Sequence, residues 1–396
     1  MSSNLEASVF VLSATRTPLG SFMGSLSSIT APKLGAATIS ESIKRSGLSA
    51  QEIEEVFMGE VLQAGVGQAP ARQALIYSGI PNTVPAVTVN KVCGSGLQSI
   101  ILGAQALKLG EKTAVVAGGM ESMSLAPHLL ALSRAGYRMG HASTLDSMIH
   151  DGLWDPYGAK HMGNYGDLCA SEKHFSRADQ DAFAKRSFEN SIHAEKNNLF
   201  HDEIVEITIP SKKGDIIVKT DEGPSKVQFD KISTLKPAFS KDGSVTAANA
   251  STLNDGAASL VLGSEGLVKQ KGLKPLAKIV SYAGSAGAPE WFTTAPSVGM
   301  KRALDKAGWS VKDVDLFEVN EAFAVVALAA QRDLEIPLEK LNVRGGAISL
   351  GHPIGCSGAR IFVTLIHALR QTGKRRGVAG ICIGGGESLA ICVEIV

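Results

Sequence analysis

Four short segments carry side chains that could do covalent and acid–base chemistry. In Asn90-Lys-Val-Cys93-Gly-Ser-Gly96 an apolar run enters, an apolar helical run leaves, and a cysteine stands at the junction. Free N–H groups and the positive end of a helix dipole at such a place favour a nucleophilic thiolate. A small buried residue at a helix start would look the same. In Gly351-His352-Pro353-Ile-Gly355-Cys356-Ser-Gly358 a histidine precedes a cramped glycine turn, which would fix its ring for use as a base or donor. In Cys382-Ile-Gly384-Gly385-Gly386 a cysteine ends an apolar strand. Core packing alone would explain it, but the glycines offer unhindered N–H groups that could hold an oxyanion. No Lys-Ser/Thr pair follows, which argues against a phosphate loop. In Val319-Asn320-Glu321-Ala-Phe323 the asparagine closes a strand and caps a helix. Its amide could equally hold a water or an oxygen at the strand's carboxyl end.

Alternating strands and helices must position these segments, and their order repeats. The stretch from Ser46-Gly47 to Val56 resembles the stretch from Ala307-Gly308 to Phe317. Gly94-Ser-Gly96 and Cys356-Ser-Gly358 each open an apolar helix, and a strand then runs to Gly118-Gly-Met-Glu-Ser122 or Gly384-Gly-Gly-Glu-Ser388. Strands are expected over 8–13, 55–61, 86–92 and 113–117 in the first half, and over 276–282, 315–319, 378–383 and 389–395 in the second. Helices are expected over 32–46, 68–78 and 96–109, then 296–307, 321–334 and 357–371. The alternation indicates an α/β fold. Residues 123–241 have no partner in the second half. They are richer in histidine and charge, and carry a long helix from about Arg177 with Ser176 and Asp179 placed as a capping box. The domains read as 1–122 plus 246–272, an insertion over 123–245, and 273–396.

Composition removes several function classes. The 396 residues are 44% hydrophobic and 19% charged, enough for a large core, and the net charge of +1 offers no field for nucleic acid. Five cysteines without a Cys-x-x-Cys pair argue against a disulfide framework or a zinc site, so no metal is expected and reduced thiols in a cytoplasmic setting fit. Residues 1–7 do not read as a leader, and no run approaches the roughly 20 apolar residues of a membrane helix.

Taken together, Arg16-Thr17-Pro18, Asn90–Gly96, Asn249–Gly256, Asn320–Phe323, Gly345–Arg360 and Cys382–Gly386 resemble the thiolases over essentially the whole chain. The resemblance implies the thiolase fold: two similar α/β halves with mixed sheets and an inserted loop domain. It implies acetyl-CoA C-acetyltransferase activity of the biosynthetic type, which condenses two acetyl-CoA to acetoacetyl-CoA and CoA. By the family pattern Cys93 would be the acylated nucleophile and His352 its activator. Cys382 would be the acid/base at carbon. Asn320 would fix a water that forms one oxyanion hole with His352, and the N–H groups of Cys93 and Gly384 would form the other.

The resemblance also places Ser251, His161 and Met162 at the pantetheine arm and acyl group, with Leu153, Phe239, Ala322 and Phe323 around the tunnel. Plain core packing would account equally for the apolar ones. Phe292 is a further wall candidate. CoA thioesters are substrates here, so no cofactor is expected. Some relatives bind potassium through a tyrosine after the Asp-Glu pair; here the loop reads Asp221-Glu-Gly-Pro224 and lacks it, which argues against a potassium effect. Glu387 stands where a small or apolar residue is expected, and nothing in the sequence explains it. A homotetramer is implied by analogy. Two other readings remain: a degradative 3-ketoacyl-CoA thiolase with a wider pocket, disfavoured by His161-Met162, and a non-catalytic acyl-CoA-binding relative, disfavoured because all four motif positions are filled.

Overall fold

The computed structural model describes residues 8–396; residues 1–7, where no leader is expected, lie outside the described residues. The main-sheet strands are β1 (Val9–Arg16), β2 (Glu55–Gly59), β3 (Ala86–Val89), β4 (Ala114–Ser122), β5 (Asn254–Ser264), β6 (Ala277–Ala286), β7 (Leu316–Val319), β8 (Arg376–Ile383) and β9 (Glu387–Ile395). They hydrogen-bond in the order β7-β8-β9-β6-β1-β5-β4-β2-β3. The seam is the antiparallel pairing of Val9–Val11 with Ile279–Ala277. Outward from it the halves match. β1 and β6 pair antiparallel with β5 and β9, these pair antiparallel with β4 and β8, and these pair parallel with β2 and β7. The chain is thus a pseudo-two-fold α/β structure. The mate of β3 is reduced to one bridge, Phe317 to Leu341.

Side chains on successive strand positions point to opposite faces, and each face has its helices. Val115 and Ala117 of β4, with Ala379, Ile381 and Ile383 of β8, pack against α3 (Ser95–Lys108) and α8 (Ile354–Gln371). Val116 and Met120 face α1 (Ala31–Ser46), which runs beside α2 (Pro70–Tyr77). Val378 and Cys382 face α6 (Ala295–Ala307) and α7 (Ala324–Asp333). Every residue of α8 from Ile354 to Leu369 is buried, so its polar groups need internal partners. Thr364 donates to Glu203 at 3.0 Å, and the His367 ring meets Ala14 O at 2.9 Å.

The repeat is visible in local detail. α1 and α6 both end on a left-handed glycine, Gly47 and Gly308, and each is followed by a capped 3₁₀ turn, at Ser49–Glu52 and Ser310–Asp313. Between β4 and β5 lie two-stranded ribbons and the helices α4 (Met162–Glu172) and α5 (Arg177–Lys196); Ser176 and Asp179 form the expected capping box at α5. Arg16, at the end of β1, ties this region down: it pairs bidentately with Asp221 at 2.7 and 2.9 Å and also binds Glu203.

Three element boundaries differ from expectation for clear reasons. β4 does not stop at its glycines but runs on to Ser122. A Cβ on Gly118 would lie 2.1 Å from Ala258 O, and one on Gly119 2.1 Å from Gly355 O, so the glycines serve close backbone approach. α8 starts at Ile354, which puts Cys356 and Ser357 inside the helix. α7 starts at Ala324 with Phe323 as its cap, so Asn320 is not a helix cap.

Candidate active site

Cys93 sits in the turn between β3 and α3. Gly94 N–H donates to Lys91 O at 3.0 Å and Ser95 N–H to Val92 O at 3.1 Å. The Ser95 hydroxyl locks the turn, accepting from Lys91 N–H at 2.8 Å and donating to Val92 O at 2.6 Å. Val92 is held at φ +47°, a conformation costly for a β-branched residue and typical of strained functional sites. The glycines allow the fit, since a Cβ on Gly96 would lie 2.9 Å from Ala359 N in α8. Helix-end activation does not dominate, however. Cys93 is partly exposed in an apolar cavity, and burial pushes its thiol up to about 12 against the opposing pull of the Gly384 and Cys93 N–H groups. The expected standing thiolate is therefore replaced by a thiol that must lose its proton as it reacts.

His352 is the base within reach of the same cavity. Its backbone N–H donates to Asn254 Oδ1 at 3.0 Å, and Gly351 before it takes φ +119° against the Asn254 amide. Its Nδ1 lies 2.6 Å from Ser357 Oγ, and that hydroxyl donates to Pro353 O at 2.9 Å. With its one proton given to Pro353, Ser357 can only accept, so Nδ1 carries the hydrogen and Nε2 keeps its lone pair. Burial, with Arg360 nearby, pulls the imidazole down to about 3, which keeps it neutral.

Cys382 ends β8, and Gly384-Gly385-Gly386 turns the chain into β9. Gly385 and Gly386 take φ +89° and +84°, which only glycine adopts without strain. Burial, and then the neighbouring Cys93, push the Cys382 thiol well above its ordinary value. Glu387, unexplained by sequence, forms an ion pair with Lys91 in the Cys93 turn.

Asn320 is fully buried just past β7, and both Nδ2 and Oδ1 lack a partner. A buried amide left open on both sides is costly unless a water or substrate oxygen meets it. Its neighbour Glu321 anchors the turn, accepting from Ser187, Asn342 and Ile348 N–H at 2.7, 2.8 and 3.1 Å. The strap before β5 joins this turn: Ala250 bridges Phe323, and Ser251 N–H donates to Ala322 O at 3.0 Å.

A cavity of about 570 Å³ gathers Cys93, His352, Cys382, Gly384, Ser251, His161, Met162, Leu153, Phe239, Ala322, Phe323 and Phe292; Asn320, two residues before Ala322, is not among its lining residues. His161 caps α4, accepting from Gly163 N–H at 3.2 Å, and stacks on Phe239 at 4.7 Å. Phe323 stands edge-on between Phe239 and Phe292, at 6.0 and 6.3 Å. A larger cleft of about 680 Å³ runs past Glu41, Arg45, Glu195 and Lys219, but it holds no cysteine nucleophile.

Residues 9–266 match the family profile "Thiolase, N-terminal domain", and residues 273–395 match "Thiolase, C-terminal domain". The chain belongs to the thiolase family. This thiolase is 49% identical over 385 residues to an acetyl-CoA acetyltransferase of Pseudomonas aeruginosa, covering 97% of the present chain and 98% of that one. It superposes on the Bacillus anthracis acetyl-CoA acetyltransferase with a TM-score of 0.96 at 40% identity, covering 98% and 99% of the two chains. It superposes on the Acat5 thiolase of Ascaris suum, solved in complex with coenzyme A, with a TM-score of 0.93 at 43% identity, covering 98% and 100%. Sequence reasoning missed Ser357 as the group that sets the tautomer of this thiolase's histidine, although it stands five residues on in the same motif. It also missed the Lys91–Glu387 pair, which joins residues far apart in sequence and has no local signal. Among the described residues no cluster of three or more His, Cys, Asp or Glu could hold a metal ion, and no helix is long and apolar enough to cross a membrane.

Proposed function

We propose that this thiolase is an acetyl-CoA C-acetyltransferase that joins two acetyl-CoA through an acetyl-Cys93 intermediate. The observation that supports it most is the meeting of two cysteines, one neutral histidine and a glycine turn in one apolar cavity. Cys93 Sγ attacks the thioester carbonyl of the first acetyl-CoA while its proton passes to His352 Nε2. The Cys93 and Gly384 N–H groups meet the oxyanion. The carbon–sulfur bond to CoA breaks, and the departing sulfur takes the proton of Cys382, leaving a Cys382 thiolate. Acetylated Cys93 bears no charge, so nothing on that sulfur disfavours the thiolate.

Cys382 then removes a proton from the methyl group of the second acetyl-CoA. The enolate oxygen is met by protonated His352 and by a water held on Asn320. The enolate carbon attacks acetyl-Cys93, acetoacetyl-CoA forms, and His352 returns its proton to the Cys93 sulfur. Each group ends in its starting protonation state. Ser251, His161 and Met162 border the pantetheine arm, with Leu153, Phe239, Ala322 and Phe323 enclosing it. A homotetramer, a cytoplasmic setting suited to five free thiols, and domains at 1–122 plus 246–272, 123–245 and 273–396 complete the reading. The test is conversion of acetyl-CoA to acetoacetyl-CoA and free CoA, followed by mass spectrometry. Absence of both condensation and thiolysis would leave acyl-CoA binding without catalysis.

A further inference from the structure

Lys91 and Glu387 take no part in these steps and line no wall of the cavity. Lys91 is the sole charged residue of the Cys93 turn, two residues before Cys93, and Glu387 opens β9 directly after the glycine loop, three residues after Gly384. The two loops come from opposite halves of the pseudo-two-fold. They carry the N–H groups of Cys93 and of Gly384, both of which pull the Cys93 thiol down against its burial. Both loops take left-handed backbone: Val92 sits at φ +47°, Gly385 at +89° and Gly386 at +84°, and only Val92 is strained by it. On the core side the approach is set by contact, since a Cβ on Gly94 would meet the Ile383 side chain. On the solvent side the loops are joined by the Lys91 ammonium and the Glu387 carboxylate, 28% and 39% exposed.

We infer that the Lys91–Glu387 ion pair is a positioning clamp, which fixes the separation of the Cys93 and Gly384 N–H groups and so the fit of the oxyanion formed at the Cys93 acyl carbon. The inference rests on the proposed acetyl-Cys93 chemistry. A pair this exposed adds little to global stability. A misplacement of about 1 Å in a catalytic arrangement can cost about 10²-fold in rate. The pair's effect is therefore on rate rather than on the fold.

The experiment measures the rate of Cys93 acetylation by acetyl-CoA, by rapid mixing and mass spectrometry, with kcat and KM alongside. Lys91→Met and Glu387→Gln should each slow acetylation and kcat about tenfold, less than removal of a whole oxyanion donor, with KM unchanged. The double exchange Lys91→Glu with Glu387→Lys restores the clamp while reversing the charge beside Cys93, and should recover the rate. Added NaCl should slow the wild type and leave Glu387→Gln unmoved. Single variants that acetylate at the wild-type rate overturn the clamp. So does an exchange variant as slow as the singles, which would mean that Lys91 acts through its charge alone. If Lys91→Met does not fold, Glu387→Gln and the wild-type salt dependence decide the matter. A wild-type chain that takes up no acetyl group overturns the parent reading, and the clamp with it.

Discussion

Ser357 Oγ lies 2.6 Å from His352 Nδ1 while giving its own proton to Pro353 O, so a single hydroxyl decides which face of the histidine is basic. Burial holds that imidazole near 3. A depressed value means the base stays unprotonated until the pH falls far below 6.5. Wild-type kcat/KM should therefore show no acid limb near 6.5 between pH 5 and 8. Ser357→Ala frees the tautomer and should lower kcat about tenfold or more, a fraction of what a general base contributes. An acid limb at 6.5 in the wild type would mean that His352 is hydrated and titrates as an ordinary histidine.

The two active-site cysteines should separate by role. Brief incubation with acetyl-CoA should add one acetyl mass to the peptide holding Cys93, and Cys93→Ala should remove it. Cys382→Ser should abolish deuterium exchange at the acetyl-CoA methyl group while Cys93 still accepts acetyl. An adduct on Cys382 or Cys356 reverses the assignment.

Asn320 carries a buried amide with no protein partner and no capping duty. Asn320→Ala should lower turnover about 10²- to 10³-fold, the scale of one oxyanion donor. A loss below tenfold would leave the open amide without a catalytic use.

The element order, the repeat and Cys93, His352 and Cys382 were legible in the sequence, because each rests on local patterns of apolar period, glycine stops and motif spacing; His161 was placed by the family resemblance alone. Asn320 was legible with two uses, as a helix cap or as a holder of a water or oxygen, and only the helix start at Ala324 removes the first. Cys93 shows the opposite failure. Its place before α3 predicts activation, but desolvation by the cavity exceeds the pull of two N–H groups, and desolvation depends on residues from both halves. Pairs such as Lys91–Glu387 and Arg16–Asp221 join distant segments, and a single sequence carries no local mark of them.

A buried carboxyl should make stability depend on pH. Glu60 is fully buried, and neither carboxyl oxygen has a partner. Burial, then the nearby Glu121, push it up to about 9 from 4.5. The folded chain therefore keeps a proton that the unfolded chain releases above about 4.5. Stability falls as pH rises through that window. Glu60→Gln mimics the protonated acid. It should be near neutral at pH 5 and raise Tm above wild type by about 2 °C or more at pH 8. Equal Tm differences at the two pH values would show that Glu60 titrates normally in the fold.

Chain length is set where the cavity closes. Met162 lies over the oxyanion turn, its methyl carbon 3.6 Å from where a Cβ on Gly384 would be. Phe323 and Phe292 brace each other edge-on at 6.3 Å, and Phe239 supports Phe323 from the other side at 6.0 Å. Phe292 is 2% exposed, so the rings have little room to swing out. A four-carbon 3-ketoacyl group is expected to end among these side chains. Each further methylene shifts discrimination by about 1–3 kcal/mol in a fitted pocket, and overpacking is penalised on a similar scale. Methionine is flexible enough to admit one branch methyl, but not the four additional carbons of an eight-carbon chain against two braced rings. For thiolysis, kcat/KM should fall in the order four, six, eight carbons, and Phe292→Ala should raise the eight-carbon value relative to the four-carbon one. An eight-carbon substrate processed as fast as acetoacetyl-CoA would make the pocket open-ended and the enzyme a degradative 3-ketoacyl-CoA thiolase.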